Sequence, residues 1–263
     1  MTAFTISFQP AGDGAARLQL PSAAATSAPD DLRSSITLAV EAAFADDQLD
    51  RLEIPVREPD NGLRWAVIRS GFRLEGRRRR AGRDDDGRPV DELIFGRLRS
   101  DVIGGADGFS AVANTITPRK RLIAHVLMRD SAGRILLCET TFKTDWELPG
   151  GIVERGESPR LGAIREIREE LGVDREIGTL LAVDWMPPYL GWDDALELIF
   201  DGGSVTEDEL ADYQLDPREI VAVNLIELAD AEPHLTPLSF RRLTAITTAD
   251  PGQTLVLENG SPL

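Results

Sequence analysis

One cysteine, Cys138, stands among 263 residues, so no internal disulfide can form. It lies in the apolar run Ile135-Leu136-Leu137-Cys138, where a small core residue is expected rather than a nucleophile. A reducing, cytoplasmic setting is expected. Lysine is nearly absent, with only Lys120 and Lys143, so arginine carries almost all the positive charge. No apolar run approaches the length of a membrane span, and the amino terminus has no basic stretch followed by an apolar one. No membrane partner is expected. Positive charge is short overall, with 29 basic against 45 acidic residues and a net charge of −16. The shortage is lopsided: residues 1–120 hold 17 basic against 18 acidic residues, and residues 121–263 hold 12 against 27. Such an acidic second half argues against a nucleic-acid duplex as partner, because duplex affinity comes mostly from neutralising phosphates. A small anionic substrate stays open, since divalent cations would reverse the local field.

The densest pattern lies in residues 151–173, where Gly151, Glu157, Arg165, Glu166, Glu169, Glu170 and Gly172 stand at fixed intervals. Aliphatic Ile167 and Val173 fall between and after them. Ser158 is a good N-cap and Pro159 suits the first helical position, so a helix should begin there and end at Gly172. At about 100° per residue, Leu161, Ile164, Ile167 and Leu171 share one face that can pack on a sheet. Glu166, Glu169 and Glu170 gather on another face. Carboxylates that close repel unless a cation sits among them, and hard oxygen donors suit Mg²⁺ or Mn²⁺, which also bind phosphates.

The series reads G-x5-E-x7-R-E-U-x-E-E-x-G-U, with U aliphatic, and Leu148-Pro149-Gly150 precedes it. It resembles the Nudix hydrolases, which cleave nucleoside diphosphates linked to another group X. That resemblance implies an α/β/α sandwich with a mixed sheet over residues 119–263. It also implies attack of water on one phosphorus of a diphosphate bridge, with Mg²⁺ or Mn²⁺ as cofactor and a small nucleotide-type diphosphate as substrate. Glu166, Glu169 and Glu170 become the metal-site carboxylates, Glu170 the principal ligand, with the Gly151 carbonyl as an additional one. Arg165, one residue before Glu166, is not expected to share its face closely. Its implied role is to pair with Glu157 and hold the loop against the helix, where a Lys would lose bidentate geometry. The general base stays open among Glu166, Glu207, Glu209 and Glu219. Lys143 or Arg121 is a candidate for phosphate contact. The loop from Trp185 to Trp192 gathers Trp185, Tyr189 and Trp192, on which a nucleobase can stack; burial of the two tryptophans is the competing expectation. In the family a proline past the motif accompanies ADP-ribose cleavage, and a tyrosine slightly further accompanies dinucleoside polyphosphates. Pro188 and Tyr189 meet both descriptions, so X stays undecided.

Ahead of this lies a second α/β segment. Strands are expected over Phe4–Phe8, Ala16–Leu20, Arg51–Val56, Arg73–Arg83 and Val90–Arg99, and helices over Pro29–Phe44 and Gly62–Arg69. Asp84-Asp85-Asp86-Gly87 reads as a hairpin turn. Leu52-Glu53-Ile54, Asn61, Gly71-Phe72, Glu75-Gly76 and Asp91 give residues 1–101 a resemblance to the C-terminal half of GNAT-type acetyltransferases. The stretch 22–29, where that family's glycine-containing loop would meet a pyrophosphate, holds no glycine. A partial, GNAT-like docking or dimerisation module is therefore expected rather than active acetyl transfer. Arg77–Arg80 is expected to form a solvated edge ribbon whose arginines guard against edge pairing. Residues 102–118, rich in glycine and small residues, read as a linker. A homodimer is plausible, because both families often pair subunits.

Overall fold

The computed structural model describes residues 5–21 and 27–263. The start of the strand expected from Phe4, and residues 22–26 of the glycine-free stretch, lie outside the described residues. The chain divides into two compact units, Met1–Pro118 and Arg119–Leu263. Among the described residues no helix is long and apolar enough to cross a membrane.

In the first unit, β1 (Ser7–Gly12) and β2 (Ala15–Gln19) form a hairpin, and β2 runs parallel to β3 (Arg51–Arg57). The last strand, β5 (Pro89–Leu98), inserts between β3 and the edge strand β4 (Arg73–Arg83). Leu52, Ile54 and Val56 alternate inward along β3 as a half-buried strand requires. They join Leu32, Ile36 and Val40 of α1 (Pro29–Phe44) and Val67 of α2 (Asn61–Arg69) in one core. The Asp60 side chain caps α2 by accepting the Leu63 amide. No basic residue sits in the last turn of α1; instead the Arg99 guanidinium donates to the carbonyls of Phe44, Asp46 and Leu49. On the edge strand, Arg77 pairs with Glu58 and Arg78 with Glu92, and Arg80 takes a left-handed backbone (φ 54°) within an irregular stretch of the ladder.

Residues 102–118 are not a bare linker. They contain a helix, α3 (Gly105–Ile116), packed against α2 and β4. Its first turn folds back tightly on the segment before it at Gly108, where a Cβ would come within 2.4 Å of the Ile103 carbonyl carbon. Glycine content pointed to a loop, yet that glycine serves close packing.

The second unit is a mixed sheet in the order β11-β7-β6-β10-β9-β12-β13, with β8 beside β6. The strands are β6 (Arg121–Arg129), β7 (Ile135–Thr140), β8 (Gly150–Ile152), β9 (Leu180–Met186), β10 (Ala195–Ser204), β11 (Ile220–Ile226), β12 (Leu255–Glu258) and β13 (Ser261–Pro262). The turn after β6 does not make a full hairpin, because β6 and β7 pair only at Arg129 and Ile135. The two strands splay, β7 pairs along its length with β11, and β8 fills the gap against β6. Glu147 and Cys138 exchange backbone hydrogen bonds of 2.7 and 3.0 Å, so the segment that carries the glycines passes from β7 to β6.

Strand β6 is buried on both faces. Ala124, Val126 and Met128 meet α4 (Pro159–Leu171), in a core that includes Cys138. Leu127 faces the other way, toward α7 (Pro237–Thr248) with Leu243 and Ile246. The result is an α/β/α arrangement. Burial of Ile167 and Leu171 on α4 contributes about 1.5–3 kcal/mol each. Leu161, expected on the packing face, is 58% exposed, and Gly162 and Ala163 take the buried positions instead. Small residues let the first turn of α4 lie close; a Cβ on Gly162 would stand 3.0 Å from the Glu157 carboxylate.

Candidate active site

Local chemistry fixes both ends of α4. The Ser158 hydroxyl accepts the Leu161 amide, Pro159 opens the helix, and Gly172 closes it in a left-handed conformation (φ 71°). The amides of Gln214 and Asp216 satisfy the carbonyls of Leu171 and Glu170 at 2.9 and 3.0 Å, which brings the loop before β11 to the helix end.

The three carboxylates sit at different depths. Glu170 is 6% exposed, and its Oε2 accepts the Gly150 amide at 2.8 Å. Burial pushes its pKa up to about 8, against the Gly150 hydrogen bond and the charge of His125, which pull it down. Glu166 is partly buried, and its carboxylate lies against Gly151, where a Cβ would come within 2.9 Å of it. Burial raises its pKa, Arg165 lowers it, and the charges of Glu169 and Glu219 raise it. The Glu169 side chain is more than half exposed.

Arg165 joins these groups. Its Nε and Nη2 hold Glu157 in a bidentate pair at 3.1 Å each, and Nη2 also donates to the Ile152 carbonyl. Its Nη1 donates to Glu166 and to Glu169, both at 2.9 Å. The expectation that Arg165 keeps off the face of Glu166 is therefore corrected: a long guanidinium reaches sideways past the angle that separates neighbouring Cα atoms. Glu157 is held below its ordinary carboxylate pKa, chiefly by that guanidinium.

A metal fits unevenly. Among the described residues no three His, Cys, Asp or Glu side chains converge where an ion would sit, and Arg165 pairs with both Glu166 and Glu169. Glu170 is different: a buried carboxylate bonded to one amide, in no salt bridge among the described residues. Burying an unpaired charge is costly, so this group calls for a proton or a cation. Hard oxygen donors suit Mg²⁺ or Mn²⁺.

The profile of the family described as NUDIX domain matches residues 119–245. These residues are a Nudix domain. Over 50 residues the chain is 46% identical to RNA pyrophosphohydrolase of Roseobacter denitrificans, which covers 18% of this chain and 31% of that protein. It is 40% identical over 65 residues to CTP pyrophosphohydrolase of Escherichia coli, covering 23% and 47%. These matches span less than half the length of either relative. Among solved structures it is similar to a MutT protein from Methanosarcina mazei Go1, with a TM-score of 0.42 and 25% identity, covering 51% of this chain and all of that one.

The remaining candidates fall into distinct places around the Nudix domain. Lys143 is paired with Glu147, and Arg121 donates to the Asp193 carbonyl while its guanidinium lies 4.6 Å from the Trp192 ring centre. Trp185 is half-buried on β9, its Nε1 donating to Asp194 at 3.1 Å, beside a shallow cavity of about 310 Å³ lined by Val183, Leu196, Val256 and Leu263. Tyr189 and Trp192 are exposed and close a tight turn through paired backbone hydrogen bonds; Leu190 and Gly191 at its tip both have positive φ. This turn leaves β10 opposite Arg121, four residues along β6 from the His125–Gly150 pair, which is about 13 Å of strand. Of the later carboxylates, Glu207 pairs with Arg134 and Glu209 completes a capping box with Thr206 on α5 (Glu207–Ala211). Glu219 alone among these three acts on Glu166. Sequence reasoning passed over Gly150, whose amide binds Glu170; the glycine doublet after Leu148-Pro149 was the available signal.

Proposed function

We propose that the Nudix domain hydrolyses a diphosphate bond in a nucleoside diphosphate linked to X. One observation carries the reading: the buried Glu170 carboxylate, fixed by the Gly150 amide and in no salt bridge among the described residues, on the helix that also presents Glu166. Glu170, Glu166, Glu169 and the Gly151 carbonyl are the groups that would hold Mg²⁺ or Mn²⁺. A divalent cation there supplies charge against the phosphate oxygens and makes water a better nucleophile at neutral pH. For Glu166 and Glu169 to join it, the Arg165 Nη1 must release both, while its Nε and Nη2 keep Glu157. Glu166 or Glu219 takes the proton from the attacking water, Glu219 being exposed and electrostatically coupled to Glu166. Trp192 and Tyr189 offer exposed faces on which a base can stack, and Trp185 lines a shallow cavity on β9.

For the first unit we infer a GNAT-like docking or dimerisation module, separate from the 119–263 hydrolase domain. Support comes from its sequence likeness and from a stretch, residues 22–29, without the glycine that would admit a pyrophosphate. Acetyl-CoA binding by calorimetry tests this, and tight binding would overturn it.

The hydrolase reading is tested by incubating the full chain with nucleoside triphosphates, ADP-ribose and nucleotide sugars, with Mg²⁺ or Mn²⁺, and scoring monophosphate or phosphate release. No turnover across that panel by folded, metal-loaded protein counts against it.

A further inference from the structure

Beneath the glycine pair runs a line of buried charge that the residues above do not use. His125 Nδ1 meets Glu197 Oε1 on β10 at 2.7 Å, and Glu197 Oε2 takes the Arg242 guanidinium of α7 at 2.7 Å. Arg242 also donates to Asp184 Oδ2 on β9 at 3.2 Å, and Asp184 Oδ1 accepts the Gly260 amide at 3.1 Å. All four side chains are buried. Two carboxylates face one guanidinium and one imidazole, so charge is matched where an unmatched ion would be strongly disfavoured.

The line ends under the site. Gly150 lies against Ala124 and His125: a Cβ there would stand 2.3 Å from the Ala124 carbonyl oxygen, 2.7 Å from the His125 Cα and 2.9 Å from the ring Cδ2. Gly150 supplies the amide that fixes Glu170. The β6 backbone pairs with Gly150 and the His125 ring closes the space beside it, so both bear on where that amide sits. Apolar side chains of similar volume serve stability as well as a buried ion line does, or better. Orientation is what the charges add.

We propose that Arg242 is a positioning residue for the Glu170 carboxylate: through Glu197 it locks the His125 ring that packs against Gly150, whose amide binds Glu170. The proposal rests on reading Glu170 as a metal-holding carboxylate.

The test uses full-length Arg242→Met, Arg242→Lys and Asp184→Asn. Mn²⁺ affinity is read by electron paramagnetic resonance of the free ion, and kcat and KM on the best nucleotide of the panel. Arg242→Met should lose about 10- to 100-fold in Mn²⁺ affinity and in kcat, with KM within about twofold of wild type. Arg242→Lys should recover most of both. Asp184→Asn keeps an acceptor for Gly260 and should show a smaller loss of the same kind, which covers an Arg242→Met chain that does not fold. A folded Arg242→Met or Asp184→Asn with wild-type Mn²⁺ affinity and kcat overturns the proposal. If wild type neither binds Mn²⁺ nor turns over, the hydrolase reading is what fails. The Gly150 amide resonance then decides on positioning: it shifts in the variant if Arg242 sets it and stays in place if Arg242 does not.

Discussion

At the scale of single residues, Glu170 has a measurable pH signature. Its folded pKa is raised from 4.5 to about 8, chiefly by burial. The native state therefore keeps a proton that the unfolded chain releases between those values. Metal-free stability should be full below about pH 4.5 and fall as pH rises toward about 8, by at most about 5 kcal/mol. Added Mg²⁺ or Mn²⁺ should flatten the fall, and Glu170→Gln should remove it. Urea denaturation with chelator, wild type against variant, measures this; parallel pH profiles would sink the assignment. The base has its own test. Glu219→Gln should lower kcat about 10²- to 10⁴-fold if Glu219 takes the proton, whereas Glu207→Gln, whose side chain pairs with Arg134, should leave kcat unchanged. Equal effects of the two substitutions on kcat would remove Glu219 from consideration.

At the scale of elements, α4 is held at its ends as much as along its face. Ser158→Ala should cost about 1 kcal/mol through the lost cap. Gly172→Ala should cost more, about 2 kcal/mol or above, since a left-handed position acquires a Cβ 2.7 Å from Gln214. Thermal unfolding orders the two, and a milder Gly172→Ala would contradict the close approach of that loop. Caps of this kind are legible in sequence because their chemistry acts within three or four residues. The same locality explains the agreement on α1, where Pro29 and the acidic first turn mark the start. What escaped was non-local. Nothing near Arg242 announces a partner 45 residues away at Glu197, and nothing in β7 says that it abandons β6 for β11. Leu161 was misplaced because periodicity assigns a face without knowing where the sheet ends. The reach of Arg165 to Glu166 and Glu169 was missed for a related reason: helical angles place Cβ atoms, not the tips of long side chains.

At the scale of the whole molecule, the proposed hydrolysis brings an anionic substrate to an acidic chain, which calls for a few placed cations. Net charge is −16, yet one arginine meets Glu157, Glu166 and Glu169, and the buried Glu170 is in no salt bridge among the described residues. That imbalance is the reason to expect a metal rather than a basic groove, and it argues against a duplex as partner. The most direct measurement compares wild-type and Glu170→Gln chains, both shown to be folded, for Mg²⁺- or Mn²⁺-dependent release of monophosphate from the substrate panel. Wild type should turn over with metal and stop with chelator, and the variant should be inactive while at least as resistant to unfolding. A variant that hydrolyses as fast as wild type would contradict the role given to Glu170.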